Sequence, residues 1–246
     1  MTDLLYYQDS YLKEFSAVIT AIDTGTDSGT GVLRVALDRT AFYPGGGGQP
    51  NDEGWMATAE GKWQVVSVKK EGAAIWHTLA DATAPLTVGA TVSATLNWER
   101  RYKLMRTHTA MHILCAVVWR DYGAQVTGGN MDPGQGRMDF EFASLQRELV
   151  GEIEAKCNAE IAAARPIRTQ ILPRATAFAI PDLIRTKINL LPEGISEVRT
   201  VEIVGLDLQA DGGTHVSNSS EVGAMKIVDY KSKGAINKRI YVELSS

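Results

Sequence analysis

The sequence predicts an α+β protein with an all-β N-terminal domain over residues 1–97 and a second, mixed domain over 98–246. Three observations lead there. Up to about residue 97, short β-type runs alternate with turn-rich breaks. From "ERRYKLMRTHTAMHILCAVVWRDYG" onward the apolar period becomes helical. The tail then returns to strand-like runs. The boundary near 97–99 is a change of period and not a flexible tether, so two packed domains are expected.

Element by element, "FSAVITAI" reads as a strand and "DTGTDSGTG" as a polar turn. "VLRVALD" is the next strand and leads into "RTAFYPGGGGQPNDEG". "WQVVSVKK", "AAIWHTLA" and "TVSATLNW" follow, at a spacing that suits a small barrel or a sandwich. Leu104, His108, Met111, His112, Cys115, Val118 and Trp119 fall on one helical stripe. A second helix is expected in "LQRELVGEIEAKCNAEIAAA", with Leu149, Ile153 and Ile161 in phase and Pro166 beyond its end. "VRTVEIVGLDLQ", "AMKIVDY" and "KRIYVEL" complete the chain as strands.

Composition narrows the class. With 44% apolar and 22% charged residues, the chain is that of an ordinary globular protein. No apolar run approaches the roughly 18 residues a membrane helix needs. The N-terminus lacks a basic segment followed by an apolar one, so no secretory signal is expected. Cys115 and Cys157 form no CxxC pair and sit in helix-like segments, which reads as buried free thiols and a cytoplasmic protein. A net charge of −4 argues against a generic nucleic-acid coat protein, although a local basic patch remains compatible with it.

His108 and His112 are four residues apart, which puts both imidazoles on one face of a helix. A helix offers two ligands to one metal in this way. The glutamate of an HExxH protease motif is absent, since the segment reads "HTAMH". Alone, such a pair is more often two polar residues on an amphipathic helix. Here it lies within the apolar stripe, where a polar group needs a partner. "QADGGTHV" supplies a further pair, Asp211 and His215, on a turn. On its own that turn reads as an Asp cap with glycines that permit positive φ. Joined to His108 and His112, it makes a set of three histidines and one aspartate suited to zinc.

The run "PGGGGQP" is entropically expensive, and it permits close approach of backbone to a ligand. Thr40 offers a hydroxyl nearby and Gln49 an amide. No phosphate-binding GxxxxGK[ST] pattern is present. Arg100, Arg101, Lys103 and Arg106 crowd the start of the first helix, where cations oppose the helix dipole, so a polyanion partner would explain them. Lys231, Lys233, Lys238 and Arg239 form a second basic cluster. His77 has no spaced partner and reads as a structural, half-buried strand histidine.

Together these blocks resemble the alanyl-tRNA editing proteins of the AlaX family, free-standing relatives of the editing domain of alanyl-tRNA synthetase. The resemblance rests on "LDRTAFYPGGGGQPNDEG", "NWERRYKLMRTHTAMHIL", "GRMDFEF", "GLDLQADGGTHVSNSSEVG" and "SKGAINKRIYVEL", in that order from about residue 35 to the end. A threonyl-type editing domain shares the histidine pattern, but "GGGGQP" points to the alanyl branch. The length is similar to that of the medium type. The resemblance implies a small β-barrel over 1–97 and a two-layer α+β editing domain over 98–246, carrying an HxxxH helix. It implies a hydrolase that deacylates tRNA(Ala) mischarged with serine, with glycine as a secondary candidate.

His108, His112 and His215 carry over as metal ligands by that resemblance. Asp211 stands where the family pattern has cysteine. One zinc ion is therefore expected, or another divalent ion, because a carboxylate is a harder ligand than a thiolate. Ligation by Asp211 is the favoured role, and a catalytic base beside three histidines is the alternative. Thr40 matches the residue that reads the amino-acid hydroxyl, and Gly46, Gly47, Gly48 and Gln49 are expected to line the same pocket. Arg100, Arg101, Lys103, Arg106, Lys238 and Arg239 are expected to meet the acceptor end of tRNA(Ala). ATP and membranes are not expected as partners, and the chain is expected to be a monomer or weak homodimer. The alternatives are a zinc-dependent esterase or amidase acting on a small substrate, and a catalytically inactive tRNA-binding relative.

Overall fold

The computed structural model describes residues 2–25, 32–80, 85–142, 144, 146–187, 191 and 194–245. Most of the polar turn expected in "DTGTDSGTG" lies outside them. The chain divides into two compact units: Met1–Gly46 with Pro50–Tyr102, and Gly47–Gln49 with Lys103–Ser246.

In the first unit, β1 (Asp3–Leu4) runs into a helical turn, α1 (Leu5–Gln8). Then come β2 (Glu14–Asp23), β3 (Leu33–Leu37) and β4 (Arg39–Thr40), a short strand parallel to β1. They are followed by β5 (Gly54–Ala57), β6 (Lys62–Glu71), β7 (Ala74–Ala80) and β8 (Thr91–Leu96). Six strands close a barrel in the order β2-β3-β7-β6-β5-β8. A closed barrel leaves no unpaired edge, and of the two all-β forms considered it is the one found. Alternation drives closure: along β7, Ile75, His77 and Leu79 point inward and their neighbours outward. The core gathers Val35, Phe42, Met56, Trp63, Val65, Val68 and Val92. Each large apolar side chain so buried stabilises by roughly 1.5–3 kcal/mol. Gly54 is required by space, because a Cβ there would lie 2.2 Å from the Thr95 carbonyl oxygen.

His77 is fully buried in this core and not half-buried, which corrects the sequence expectation. Its inward register leaves it no solvent, so both ring nitrogens find internal partners. Nδ1 lies 3.2 Å from the Val35 carbonyl oxygen and Nε2 2.9 Å from Thr40 Oγ1.

Helix α2 (Trp98–Tyr122) starts at Asn97, whose side chain accepts from the Arg100 amide at 3.2 Å. It stops at Gly123, whose φ of +63° suits the left-handed cap that ends helices. The division between units falls inside this helix, after Tyr102.

The second unit continues with the hairpin β9 (Val126–Asp132) and β10 (Gln135–Glu141), then α3 (Arg147–Ala162). After these come β11 (Ile167–Pro173), α4 (Arg174–Phe178), β12 (Glu197–Ile203), β13 (Asp207–Ala210), β14 (Met225–Ser232) and β15 (Asn237–Leu244). The strands form two antiparallel sheets, β14-β15-β10-β9 and β11-β12-β13. α3 buries Val150, Ile153, Cys157 and Ile161, so its inner stripe begins one residue after Leu149. Helix α2 meets the first sheet at Gly136, where a Cβ would come within 2.7 Å of Met111 Sδ. Among the described residues, no helix is long and apolar enough to cross a membrane.

Candidate metal centre

Three segments of the second unit converge. Helix α2 carries His108 and His112 one turn apart, both buried. The turn after β13 carries Asp211 and His215. The end of the glycine run carries Gln49. The three imidazole centroids lie 4.3–4.9 Å apart. One donor atom from each of His108, His112, Asp211 and His215 lies within 4.8 Å of the others. Asp211 Oδ1 is 3.6 Å from His108 Nε2 and 4.0 Å from His112 Nε2, while its Oδ2 is 3.0 Å from His215 Nε2.

These distances fit one small divalent ion. Tetrahedral zinc with bonds of about 2.0–2.1 Å separates its ligand atoms by roughly 3.3 Å, so the set would have to contract by up to about 1.5 Å. The rings are also oriented by groups behind them. His108 Nδ1 contacts Gln49 Oε1 at 2.9 Å, and His215 Nδ1 contacts Thr109 Oγ1 at 3.1 Å. Both leave Nε2 facing the centre, the usual arrangement behind metal-bound histidine. His112 Nδ1 is buried and finds no hydrogen-bond partner among the described residues.

Protonation favours the same reading. Burial, helped by its histidine neighbours and Arg199, holds His108 well below the usual imidazole range. Burial also takes His215 down to about 4, against the pull of its hydrogen bond with Asp211. For Asp211, burial alone would raise the carboxyl, but the surrounding imidazoles, His108 first, hold it well below the usual range. Neutral imidazoles beside a carboxylate are the state that ligates metal.

The turn is built for closeness. Asp211 Oδ2 accepts from the Gly213 amide at 2.7 Å, closing an Asx turn. Buried Arg199 of β12 donates to the carbonyls of Asp211 and Gly213 at 3.1 and 2.9 Å. Neither Gly212 nor Gly213 has positive φ, which corrects the expectation that these glycines serve backbone conformation. Gly213 is needed for room: a Cβ would sit 2.3 Å from His108 Cε1 and 2.6 Å from Gln49 Oε1. Positive φ is found instead along the glycine run, at Gly45, Gly46, Gly47 and Gly48, with φ +81°, +135°, +58° and +86°. The Gly48 carbonyl accepts from the Met131 amide at 3.0 Å, which seats Gln49 in the second unit.

Other expected residues lie elsewhere. Thr40 is fully buried in the barrel unit. A carbonyl can only accept, so His77 donates from Nδ1 to Val35, and its Nε2 takes the Thr40 hydroxyl proton. Thr40 Oγ1 also accepts from the Phe42 amide at 3.1 Å, which leaves it one lone pair. Arg101 does not face a polyanion, contrary to expectation. It is fully buried, pairs with Asp52 through Nε and Nη2, and donates to the carbonyls of Ser10 and Ala41. Arg100 donates to the Asn51 carbonyl and pairs with Glu53 at 3.3 Å. Arg106 binds the carbonyls of Val222 and Ser245. Lys238 is buried and caps the carbonyls of Gly234 and Ala235, and Arg239 grips Asp139 at 2.6 and 2.8 Å. Lys103 is half-buried on α2. Thr109, Thr214 and Arg199 were missed. The two threonines sit inside the HxxxH and GGTH stretches and could have been noticed; Arg199 carries no local signal.

Residues 2–100 match the family model described as tRNA synthetases class II (A). Residues 198–241 match the one described as threonyl and alanyl tRNA synthetase second additional domain. Both models describe parts of tRNA synthetases, so two stretches of the chain are similar to synthetase domains. The alanyl-tRNA editing protein AlaX-M of Saccharolobus solfataricus is 38% identical over 98% of both chains. The AlaX-M protein of Methanosarcina acetivorans is 36% identical over 99% of both. The alanine–tRNA ligase of Ignicoccus hospitalis is 38% identical over 92% of this chain and 24% of its own. The chain belongs to the AlaX-M alanyl-tRNA editing proteins.

Proposed function

We propose that this protein is an aminoacyl-tRNA deacylase that hydrolyses the ester of tRNA(Ala) mischarged with serine, with glycine as a second candidate. Membership of the editing family supports the substrate class. The observation that carries the chemistry is the gathering of three imidazoles and one carboxylate within 4.8 Å. His108, His112, Asp211 and His215 would hold one zinc or other divalent ion. Such an ion supplies Lewis-acid polarisation of a carbonyl or of water when bound. Gln49 and Thr109 hold the rings of His108 and His215 with Nε2 inward. If Asp211 is released from ligation, it serves as a base beside three histidines. Thr40 is assigned the reading of the seryl hydroxyl, which alanine lacks, and polar discrimination of this kind is strong. The glycines Gly46, Gly47 and Gly48 are assigned to the amino-acid pocket, and Arg100, Lys103, Arg106 and Arg239 to the region of the acceptor end. Ester hydrolysis needs no ATP. Free, buried Cys115 and Cys157 support a cytoplasmic location.

Deacylation of Ser-, Gly- and Ala-tRNA(Ala) with and without a chelator tests the reading. Serine should be released fastest and alanine spared. Chelation should abolish the activity, zinc should restore it, and His108→Ala should lose at least about a hundredfold, as misplacing one catalytic group does. Survival of all charged tRNA while small esters are cut would sink it.

A further inference from the structure

The sequence points to Gln49 as a residue that touches substrate, but its carboxamide is already committed. The Thr214 amide can only donate, and it lies 3.1 Å from Gln49 Oε1. That contact fixes which end of the carboxamide is oxygen. The other end, Nε2, then donates to Thr214 Oγ1 at 2.9 Å. His108 Nδ1 lies 2.9 Å from the same Oε1, so it must carry the proton and donate. Nε2 of His108 is left with its lone pair toward Asp211, 3.6 Å away. Gln49 is 2% exposed and Thr214 is fully buried, so water does not compete for these bonds. Gly213 allows the approach, because any Cβ there would strike both His108 and Gln49.

From this geometry we infer that Gln49 is the positioning residue of the metal centre. One carboxamide clamps the glycine loop, helix α2 and the Asp211–His215 turn together. It fixes the tautomer of His108, so that ring stands in ligating form before any ion arrives. Gln49 acts through His108 and Thr214 and does not touch the reacting atoms. The inference rests on reading the four donors as a metal site.

The test uses full-length protein labelled with 15N-histidine. Imidazole nitrogen shifts are read in the metal-free chain, and zinc affinity is measured by competition with a chelating dye. Wild type should hold the His108 proton on Nδ1. Gln49→Leu should lose that preference and bind zinc about 10–100-fold more weakly, the usual effect of removing a group behind a ligand. Gln49→Glu should stay near wild type, since a carboxylate oxygen accepts from both His108 and the Thr214 amide. A merely structural glutamine would lower thermal stability without moving the tautomer. Gln49→Leu with wild-type affinity and an unchanged tautomer would overturn the inference. If Gln49→Leu fails to fold, Gln49→Glu and Thr214→Val carry the test. Support is near-wild-type affinity in Gln49→Glu with a loss of about threefold or more in Thr214→Val, and the reverse order overturns it. A His108 proton on Nε2 in the metal-free wild type would overturn the clamp. Failure of the wild type to take up zinc would overturn the metal reading instead.

Discussion

At Gly213, a single hydrogen in place of a methyl group decides whether the centre can form. A Cβ would lie 2.4 Å from His108 Nδ1, and the obstacle is a ring already held by Gln49. Neither side can yield cheaply. Gly213→Ala should therefore displace a ligand by about an ångström and lower deacylation roughly a hundredfold, with the secondary structure unchanged by circular dichroism. Asp211 has two separable duties at this scale. Its Oδ2 closes the turn on the Gly213 amide, and its charge faces the histidines. Asp211→Asn keeps an acceptor for the turn and removes the charge. Its zinc affinity should fall by at least about tenfold while its thermal midpoint changes little. An unchanged affinity would mean that Asp211 is no ligand.

Among elements, α2 is defined by what its first turn buries. Arg101 is a buried cation whose compensation comes from Asp52 and two backbone carbonyls. Asp52→Ala would leave that charge unpaired, and removal of one partner of a buried pair costs about 3–5 kcal/mol. Urea unfolding should show that loss. A change below about 1 kcal/mol would mean that Arg101 escapes to solvent, as surface pairs permit. The "ERRYKLMR" stretch looks like a basic patch only because composition does not reveal which cations turn inward. Periodicity was a better guide, since it marked five of the six barrel strands, all but β5, and both long helices. It missed β9, β10 and β11, where "VTGGNMD", "QGRMDFE" and "IRTQILP" mix glycine, charge and proline. Pairing with neighbours makes these segments strands, and their own propensity does not.

For the molecule as a whole, acid sensitivity follows from the buried histidines. His77 is held at about 4 by burial, against the help of its bond to Val35. Its ordinary value is 6.5, so the unfolded chain binds one more proton between those limits. The His77 contribution to stability should then be level above about pH 6.5, fall as the pH drops toward 4, and be gone below it. The His77 share is about 3 kcal/mol. Unfolding of wild type and His77→Phe between pH 4 and 7 should give curves that converge by that amount. Parallel curves would mean that His77 titrates normally.

The sequence by itself determined which donor types were available, that two of them share a helical face, and which family the chain resembles. These are local facts, carried by spacing and motif. Only the tertiary structure decided that Asp211 and His215 reach across a hundred residues to that helix. It also decided that Gln49 turns toward His108, that Gly213 serves space and not backbone freedom, and that Arg101 is a core residue. The physical reason is range. A helical period acts over four residues, whereas the His108–Gln49 and His215–Thr109 contacts span 59 and 106 positions. Such contacts exist only once both segments have packed.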